Sequence, residues 1–320
     1  MGTPSERDSE RTRTSASTGT SASNSNSNSN SNSETASAPV LAPTTPEGRT
    51  ALAALLADPR HTVVGLDFDG TLAPIVADPD RARAHEGAVP ALTALAPEVR
   101  AVAVITGRPA PVAVRNGGFE GAEGLDHLVV LGHYGAERWD AATGTLSAPP
   151  PHPGVDAVRT ELPGVLAAAG DWPGTWTEDK GRAVAVHTRR ADDPQGAFDA
   201  LRGPLGALAA RHGLIVEPGR LVLELRPPGV DKGVALTEYV RETGARAVLY
   251  AGDDLGDLPA FAAVAALRKE GVPGLLVCSG STEVTELAER ADLVVDGPAG
   301  VVALLDALAQ AIRTDREGQG

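Results

Sequence analysis

The sequence is poor in cysteine, in aromatic side chains, in positive charge and in long apolar runs. Its single cysteine, Cys278, excludes an internal disulfide and a metal cage built from several cysteines. Only 3% of the residues are aromatic, so the core has to be built from Ala, Val and Leu. A formal net charge of -14 argues against a nucleic acid or an anionic membrane as partner, because both need a basic surface. No apolar run is long enough to span a bilayer.

The first 46 residues differ in composition from the rest of the chain. Residues 15–33 are nearly all Ser, Asn, Thr, Ala and Gly, and they offer too little apolar surface to become ordered. The segment has no apolar stretch typical of a secretory signal, and acidic residues interrupt its arginines, which transit peptides avoid. We therefore expect residues 1–46 to be a disordered tail on a cytoplasmic protein, which we take to be a monomer.

The remainder alternates short β-rich runs with Ala- and Leu-rich helical patterns, which indicates a doubly wound parallel sheet. Strands of this sheet are predicted at 62–68, 100–105, 127–132, 246–251, 274–278 and 292–295. Residues 147–226 break the pattern, because each of two helical stretches there precedes a pair of strands, with proline-rich segments at entry and exit. We predict an α/β fold with a Rossmann-like core in 47–146 and 227–315, and an inserted α+β cap in 147–226.

Carboxylates cluster where two of the predicted strands end. Asp67 and Asp69 follow the first strand, and a glycine after them allows a sharp turn. The strand 246–251 is followed by a second acidic group, made up of Asp253, Asp254 and Asp257. Acids this close repel one another unless a cation shares the site, and oxygen ligands suit Mg²⁺. Each motif alone could be an ordinary turn or helix cap, but together they predict a magnesium site where ligands bind in open α/β sheets.

Two further motifs lie at the ends of predicted secondary-structure elements. Thr106-Gly107-Arg108 follows the second strand, where a Thr hydroxyl and exposed amides can bind a phosphoryl oxygen. Lys232 opens a predicted helix, a position that is unfavourable for a lysine unless an anion or a carboxylate lies there. Taken singly, the first could be a plain turn and the second a solvated surface lysine.

In their order along the chain, these four motifs resemble those of the haloacid-dehalogenase-like phosphohydrolase superfamily, and the insertion resembles its α+β cap. Other segments are similar to the trehalose-6-phosphate phosphatases of that superfamily, namely Glu178-Asp179-Lys180-Gly181, Ala185 to Arg189, Glu224-Leu225-Arg226-Pro227 and Gly132 to Glu137. The sequence departs from the family at three positions. Gly256 and Leu258 stand where the family has Thr and Glu, and Tyr134 stands where it has His.

The resemblance implies a phosphatase that releases trehalose and phosphate from trehalose 6-phosphate. It implies that Asp67 attacks phosphorus and that Asp69 protonates the leaving oxygen, with Thr106 and Lys232 completing the catalytic set. It implies Mg²⁺ held by Asp67, the backbone carbonyl of Asp69, and Asp253. The further residues that it implies are Asp254 and Asp257 as groups that orient ligands, and Asp67, Phe68, Asp69, Arg108, Glu178, Lys180, Arg189, Arg220 and Glu224 as substrate-binding residues.

Two alternatives remain open at the level of sequence. The nearer one is the same chemistry on another sugar phosphate, such as mannosyl-phosphoglycerate or sucrose-phosphate. The other is a catalytically silent regulatory protein, of which the altered segment 256–258 would be a symptom. The retained Asp67, Asp69, Lys232 and Asp253 argue against the silent protein.

Overall fold

The computed structural model describes residues 41–76, 78–170, 172–280 and 285–318, so residues 1–40 of the predicted tail lie outside the described part. The first described residues contact the core. Leu41 packs against it, and the Thr44 N–H donates to the Asp292 carbonyl oxygen at 2.7 Å. Thr45 then caps the first helix, because its side chain accepts a hydrogen bond from the Gly48 N–H.

The described residues form strands and helices in alternation. The strands are β1 (Thr62–Leu66), β2 (Ala101–Ile105), β3 (Leu128–Gly132), β4 (Glu137–Asp140), β5 (Thr145–Ser147), β6 (Trp176–Asp179), β7 (Val184–His187), β8 (Ile215–Gly219), β9 (Val222–Arg226), β10 (Ala247–Gly252), β11 (Gly274–Gly280) and β12 (Leu293–Asp296). The α-helices are α1 (Pro46–Ala57), α2 (Ala88–Leu95), α3 (Ala110–Gly117), α4 (Pro153–Ala169), α5 (Pro194–Arg211), α6 (Lys232–Thr243), α7 (Leu258–Lys269), α8 (Thr285–Arg290) and α9 (Gly297–Gly318). None of these helices is long and apolar enough to cross a membrane.

The larger sheet has the order β12-β11-β10-β1-β2-β3-β4-β5, in which the strands from β12 to β3 are parallel. The predicted α/β class with a doubly wound sheet is thus confirmed. The antiparallel hairpin β4–β5 at one edge was not predicted. Its residues are half-buried or exposed apart from Trp139, so the segment lacks the apolar run that marked the other strands.

Alternate residues of the parallel strands supply two separate cores, one on each face of the sheet. Val64, Val102 and Leu249 pack with α1, α2, α3 and α9 on one face. Val63 and Ile105 pack with α6 and α7 on the other, where Cys278 is also buried. This alternation follows from the two-residue period of a strand, and covering both faces explains why these strands read as continuous apolar runs.

The smaller sheet, of order β6-β7-β9-β8, is antiparallel and belongs to the inserted segment. One of its faces packs Val184, Val186, Leu223 and Leu225 against α4 and α5. The opposite face is formed by the alternate residues, and we call it the polar cap face; its members are Trp176, Glu178, Lys180, Ala185, His187, Glu224 and Arg226. The period of two therefore gives the central strands β7 and β9 one face that packs in the cap core and one that does not.

Candidate active site

Two neighbouring parallel strands bring the first acidic groups together. Leu66 of β1 pairs with Ala251 of β10, so Asp67 and Asp253 leave the same edge of the sheet. Carboxylate oxygens of Asp67, Asp253 and Asp257 lie within 4.8 Å of one another. A Cβ on Gly70, whose φ is +76°, would lie 1.9 Å from Asp253 Oδ2, so this turn requires glycine.

Lys232 is buried between two of these carboxylates. Its Nζ lies 2.7 Å from Asp67 Oδ1 and 2.7 Å from Asp257 Oδ1. Burial alone would lower the pKa of Lys232, but the carboxylates of Asp257 and Asp67 outweigh it and raise that pKa well above its usual value. The lysine is therefore held as a cation at the start of α6, where the two carboxylates offset its unfavourable interaction with the helix dipole.

Asp257 is fully buried and accepts more hydrogen bonds than any other side chain of this cluster. Its Oδ1 accepts from Lys232 Nζ and from the Tyr250 hydroxyl, both at 2.7 Å. Its Oδ2 accepts from the backbone N–H groups of Asp253, at 3.0 Å, and Asp254, at 3.2 Å. The Tyr250 contact was missed at the level of sequence, although a tyrosine in a buried strand needs a partner for its hydroxyl.

The acidic cluster fits a hard divalent cation such as Mg²⁺. Burial raises the pKa of Asp253 to about 8, and the carboxylates of Asp257 and Asp254 add to the increase. Burial likewise raises the pKa of Asp67 well above its usual value, against the effect of Lys232. The Asp253 Oδ1 atom is buried and has no hydrogen-bond partner among the described residues. A buried carboxylate oxygen that has no hydrogen-bond partner and lies among other carboxylates is a suitable ligand for a bound cation.

The Asp69 carboxylate points away from this cluster. It accepts hydrogen bonds from Arg108 Nε, at 2.6 Å, and Arg108 Nη2, at 2.7 Å. The Thr106 side chain is buried beside them, and its Oγ1 accepts the Arg108 N–H at 3.1 Å. Phe68 packs its side chain in the core, 6.4 Å from the Phe119 ring, and the Arg108 guanidinium lies 5.8 Å from the centroid of its ring.

Three of the predicted cap residues share the polar cap face. Lys180 Nζ lies 2.5 Å from Glu224 Oε2, and both side chains are nearly buried. Glu178 Oε2 lies 2.8 Å from His187 Nε2, and this hydrogen bond lowers the pKa of Glu178. The pKa of Arg108 lies above its usual value. Burial alone would lower this pKa, but the hydrogen bonds and charge of Asp69 raise it, and the charge of Glu178 adds to the increase. Glu178 therefore faces the part of the core that holds Asp69.

Two predicted cap residues lie elsewhere. Arg189 and Arg220 are exposed, and Arg189 Nη2 donates to the Arg220 carbonyl oxygen at 3.4 Å. Both follow strand ends that are remote from Lys180, because His187 pairs with Trp176 and with Val222 at that end of the sheet. The structure thus groups Glu178, Lys180 and Glu224 without these two arginines.

Contacts between the inserted segment and the core were not predicted. Arg182 Nε lies 3.1 Å from Glu137 Oε1, and the same guanidinium donates to the Pro149 carbonyl oxygen. The other oxygen of Glu137 accepts the Ala110 N–H at 2.8 Å. Since Arg182 and Glu137 lie far apart in the chain, nothing in the local sequence pattern signals this ion pair.

Comparison with known proteins identifies relatives of this chain. Residues 65–295 match the sequence model described as trehalose-phosphatase. A trehalose-phosphate phosphatase from Mycobacterium avium is 36% identical over 267 residues, which cover 78% of this chain and 62% of that relative. The chain thus spans less than two thirds of the length of this curated relative.

Two solved structures share the fold. The C-terminal domain of Candida albicans trehalose-6-phosphate phosphatase has a TM-score of 0.66 at 20% identity, over 84% of this chain and 98% of that one. A haloacid dehalogenase-like hydrolase from Bacteroides thetaiotaomicron has a TM-score of 0.54 at 16% identity, over 80% and 100% of the two chains. With the sequence match over most of its length, the chain belongs to the trehalose-phosphatase family, as its motifs predicted.

Proposed function

We propose that this protein is a Mg²⁺-dependent phosphatase that hydrolyses trehalose 6-phosphate to trehalose and phosphate, a step of trehalose biosynthesis. The observation that carries the proposal is the Asp67 carboxylate, held against the buried Lys232 at the ligand-binding edge of a parallel sheet. The names of the relatives support the substrate. We further propose that 147–226 acts as a substrate-selecting cap on a core made of 47–146 and 227–315.

The first step is attack of the Asp67 carboxylate on phosphorus, which forms an aspartyl-phosphate and releases the sugar oxygen. Lys232 fixes one oxygen of Asp67 and brings a positive charge to the entering phosphate. The Thr106 hydroxyl accepts the Arg108 N–H, so its own proton is available for a phosphoryl oxygen. When bound by Asp67, the Asp69 carbonyl and Asp253, Mg²⁺ would supply further charge against the repulsion between carboxylate and phosphate dianion.

Asp69 is the general acid of this scheme, and it has to exchange partners before it acts. Its two oxygens are both bound by Arg108, an arrangement that stabilises a carboxylate without a proton. A phosphate dianion offers Arg108 a partner of higher charge. Movement of Arg108 onto the phosphate would free Asp69 to take up a proton from solvent, pass it to the leaving sugar oxygen, and then accept a proton from the water that attacks the aspartyl-phosphate and releases phosphate.

The sugar rings would bind on the polar cap face. Glu178, Lys180 and Glu224 offer charged acceptors and donors there, and sugar hydroxyls bind to both kinds of group. The Glu224 Oε1 atom is buried and has no hydrogen-bond partner within the described ranges, so a sugar hydroxyl would satisfy it. Arg189 and Arg220 are candidates for contacts at the outer end of this face.

The test is phosphate release by the purified full chain from trehalose 6-phosphate, sucrose-phosphate, mannosyl-phosphoglycerate and p-nitrophenyl phosphate, each with Mg²⁺ and with EDTA. We expect the highest kcat/KM on trehalose 6-phosphate and loss of activity in EDTA. Asp67→Asn should be inactive on every substrate while unfolding at a temperature near that of the parent. The matched control is Asp199→Asn, which changes an exposed cap carboxylate and should leave activity unchanged.

Three outcomes would count against the proposal. A higher kcat/KM on another sugar phosphate would change the substrate. Near-parental activity of Asp67→Asn would exclude the covalent mechanism. Absence of phosphate release from any of the substrates, by a protein that is folded and supplied with Mg²⁺, would leave a regulatory protein as the better reading.

A further inference from the structure

A strained turn of the core lies against the loop that holds Thr106. His133, Tyr134 and Gly135 have φ angles of 47°, 59° and 101°, so two residues with a Cβ adopt the left-handed conformation in succession. The turn is fastened by two hydrogen bonds, from the Tyr134 N–H to the Thr106 carbonyl and from the His133 N–H to the Arg108 carbonyl, both at 2.9 Å. Backbone strain of this kind persists where the surrounding structure enforces it, and it is concentrated at functional sites.

The strained turn carries the Tyr134 ring into the space between the core and the polar cap face. On the core side the ring covers Gly107, where an added Cβ would lie 2.7 Å from the Tyr134 hydroxyl oxygen. On the cap side, the Arg226 guanidinium lies 4.8 Å from the centroid of the ring. The side chain is thereby fixed from both directions.

The hydroxyl of Tyr134 keeps its proton and has no hydrogen-bond partner in the described part of the chain. Burial raises the pKa of Tyr134 to about 12. Glu224 adds to the increase while Lys180 and Lys232 oppose it, so the hydroxyl lies within reach of charges from both the catalytic cluster and the cap. The residue is half-buried, so part of Tyr134 remains in contact with solvent.

We infer that the Tyr134 hydroxyl binds a hydroxyl group of the sugar ring that carries the phosphate, and that Tyr134 therefore contributes to substrate specificity. The inference rests on the proposed function. A phosphate at Asp67 and Lys232, with the rest of the sugar on the polar cap face, requires the phosphorylated ring to pass between the two, where Tyr134 projects. The sugar supplies the hydrogen-bond partner that the described residues do not.

The test compares Tyr134→Phe with Tyr239→Phe in the full chain with Mg²⁺. Tyr239 is a close match, because Arg138 lies 5.4 Å from its ring, burial raises its pKa to about 12, and it lies against the start of β2, far from the strand ends that hold the site. We expect Tyr134→Phe to lower kcat/KM on trehalose 6-phosphate by about tenfold or more, because the substrate hydroxyl loses its partner. Activity on p-nitrophenyl phosphate, which has no sugar, should stay within about twofold, and so should both activities of Tyr239→Phe.

Several outcomes would overturn the inference. One is an unchanged kcat/KM of Tyr134→Phe on trehalose 6-phosphate. Another is an equal loss on both substrates together with a lower melting temperature, which would make the residue purely structural. If the parent protein prefers another sugar phosphate, the proposed function fails, but the same ratio measured on that sugar still decides the role of Tyr134.

Discussion

Replacing Asp257 by Ala should remove much of the stability of the protein as well as its activity. The change leaves the Tyr250 hydroxyl and the N–H groups of Asp253 and Asp254 without their acceptor. Each orphaned buried donor costs about 1–3 kcal/mol, which gives roughly 2–6 kcal/mol for the Tyr250 hydroxyl and the Asp253 N–H, while the part-buried Asp254 N–H adds less. Lys232 keeps Asp67 but loses one of its two carboxylates, which adds to the cost. The sum is comparable with the total stability of a domain, about 5–15 kcal/mol.

The assay is thermal unfolding followed by circular dichroism in the presence of Mg²⁺. At about 2–4 °C per kcal/mol, Asp257→Ala should melt at least roughly 4 °C below the parent protein, or fail to fold at 37 °C. Asp257→Asn should lose less, because its carbonyl can still accept from Lys232 and Tyr250 while its NH₂ group faces the two N–H donors. The exposed control Asp199→Ala should change the free energy of unfolding by less than about 0.5 kcal/mol. An Asp257→Ala protein that melts with the parent would refute the reasoning.

Three further predictions follow from the site and its surroundings. Glu178→Ala should lower kcat/KM on trehalose 6-phosphate by at least about tenfold but leave p-nitrophenyl phosphate nearly unchanged; Glu161→Ala, which removes another histidine-bound glutamate of the cap, should affect neither. Burial raises the pKa of Asp253 from about 4 in the unfolded chain to about 8 in the folded protein, so the melting temperature measured in EDTA should fall as the pH rises from about 4 to about 8. Asp253→Asn should not show this pH-dependent fall, and Mg²⁺ should reverse it in the parent protein. Deleting residues 1–40 should leave kcat unchanged, whereas deleting through Thr45 should cost about 1 kcal/mol or more of stability, measured by urea unfolding.

The grouping of Asp67, Lys232 and Asp253 could be anticipated from the sequence. Each stands at the end of an apolar run or the start of a helix, and parallel strands end at one edge of their sheet. Their grouping can be predicted although they lie far apart along the chain, because the alternation of strands and helices places the carboxyl ends of the parallel strands at one edge of the sheet. The same argument could not tell that Lys232 contacts Asp67 and Asp257 together, since that depends on the side-chain conformations.

Other features depend on contacts that leave no mark on the local pattern. The bond between Arg108 and Asp69 turns the expected acid away from the cluster, and the pairing of Arg182 with Glu137 joins the turn between β6 and β7 to β4 of the larger sheet. The hairpin β4–β5 was not predicted because only one of its residues, Trp139, is buried. In each case the sequence offers charged or half-exposed residues that have many possible partners, and packing alone selects one.

The two faces of the cap sheet keep the proposed sugar-binding surface apart from the residues that hold the cap together. Val184, Val186, Leu223 and Leu225 hold the sheet to its helices, while their immediate neighbours along β7 and β9 lie on the polar cap face. A substitution at the half-buried His187 therefore alters the surface proposed for the sugar without touching the residues that keep the cap folded. Under the proposed function, such a sheet can change the sugar that it accepts through single substitutions, each tolerated by the fold. The same property would make the cap a suitable place to redirect the proposed activity by directed mutation.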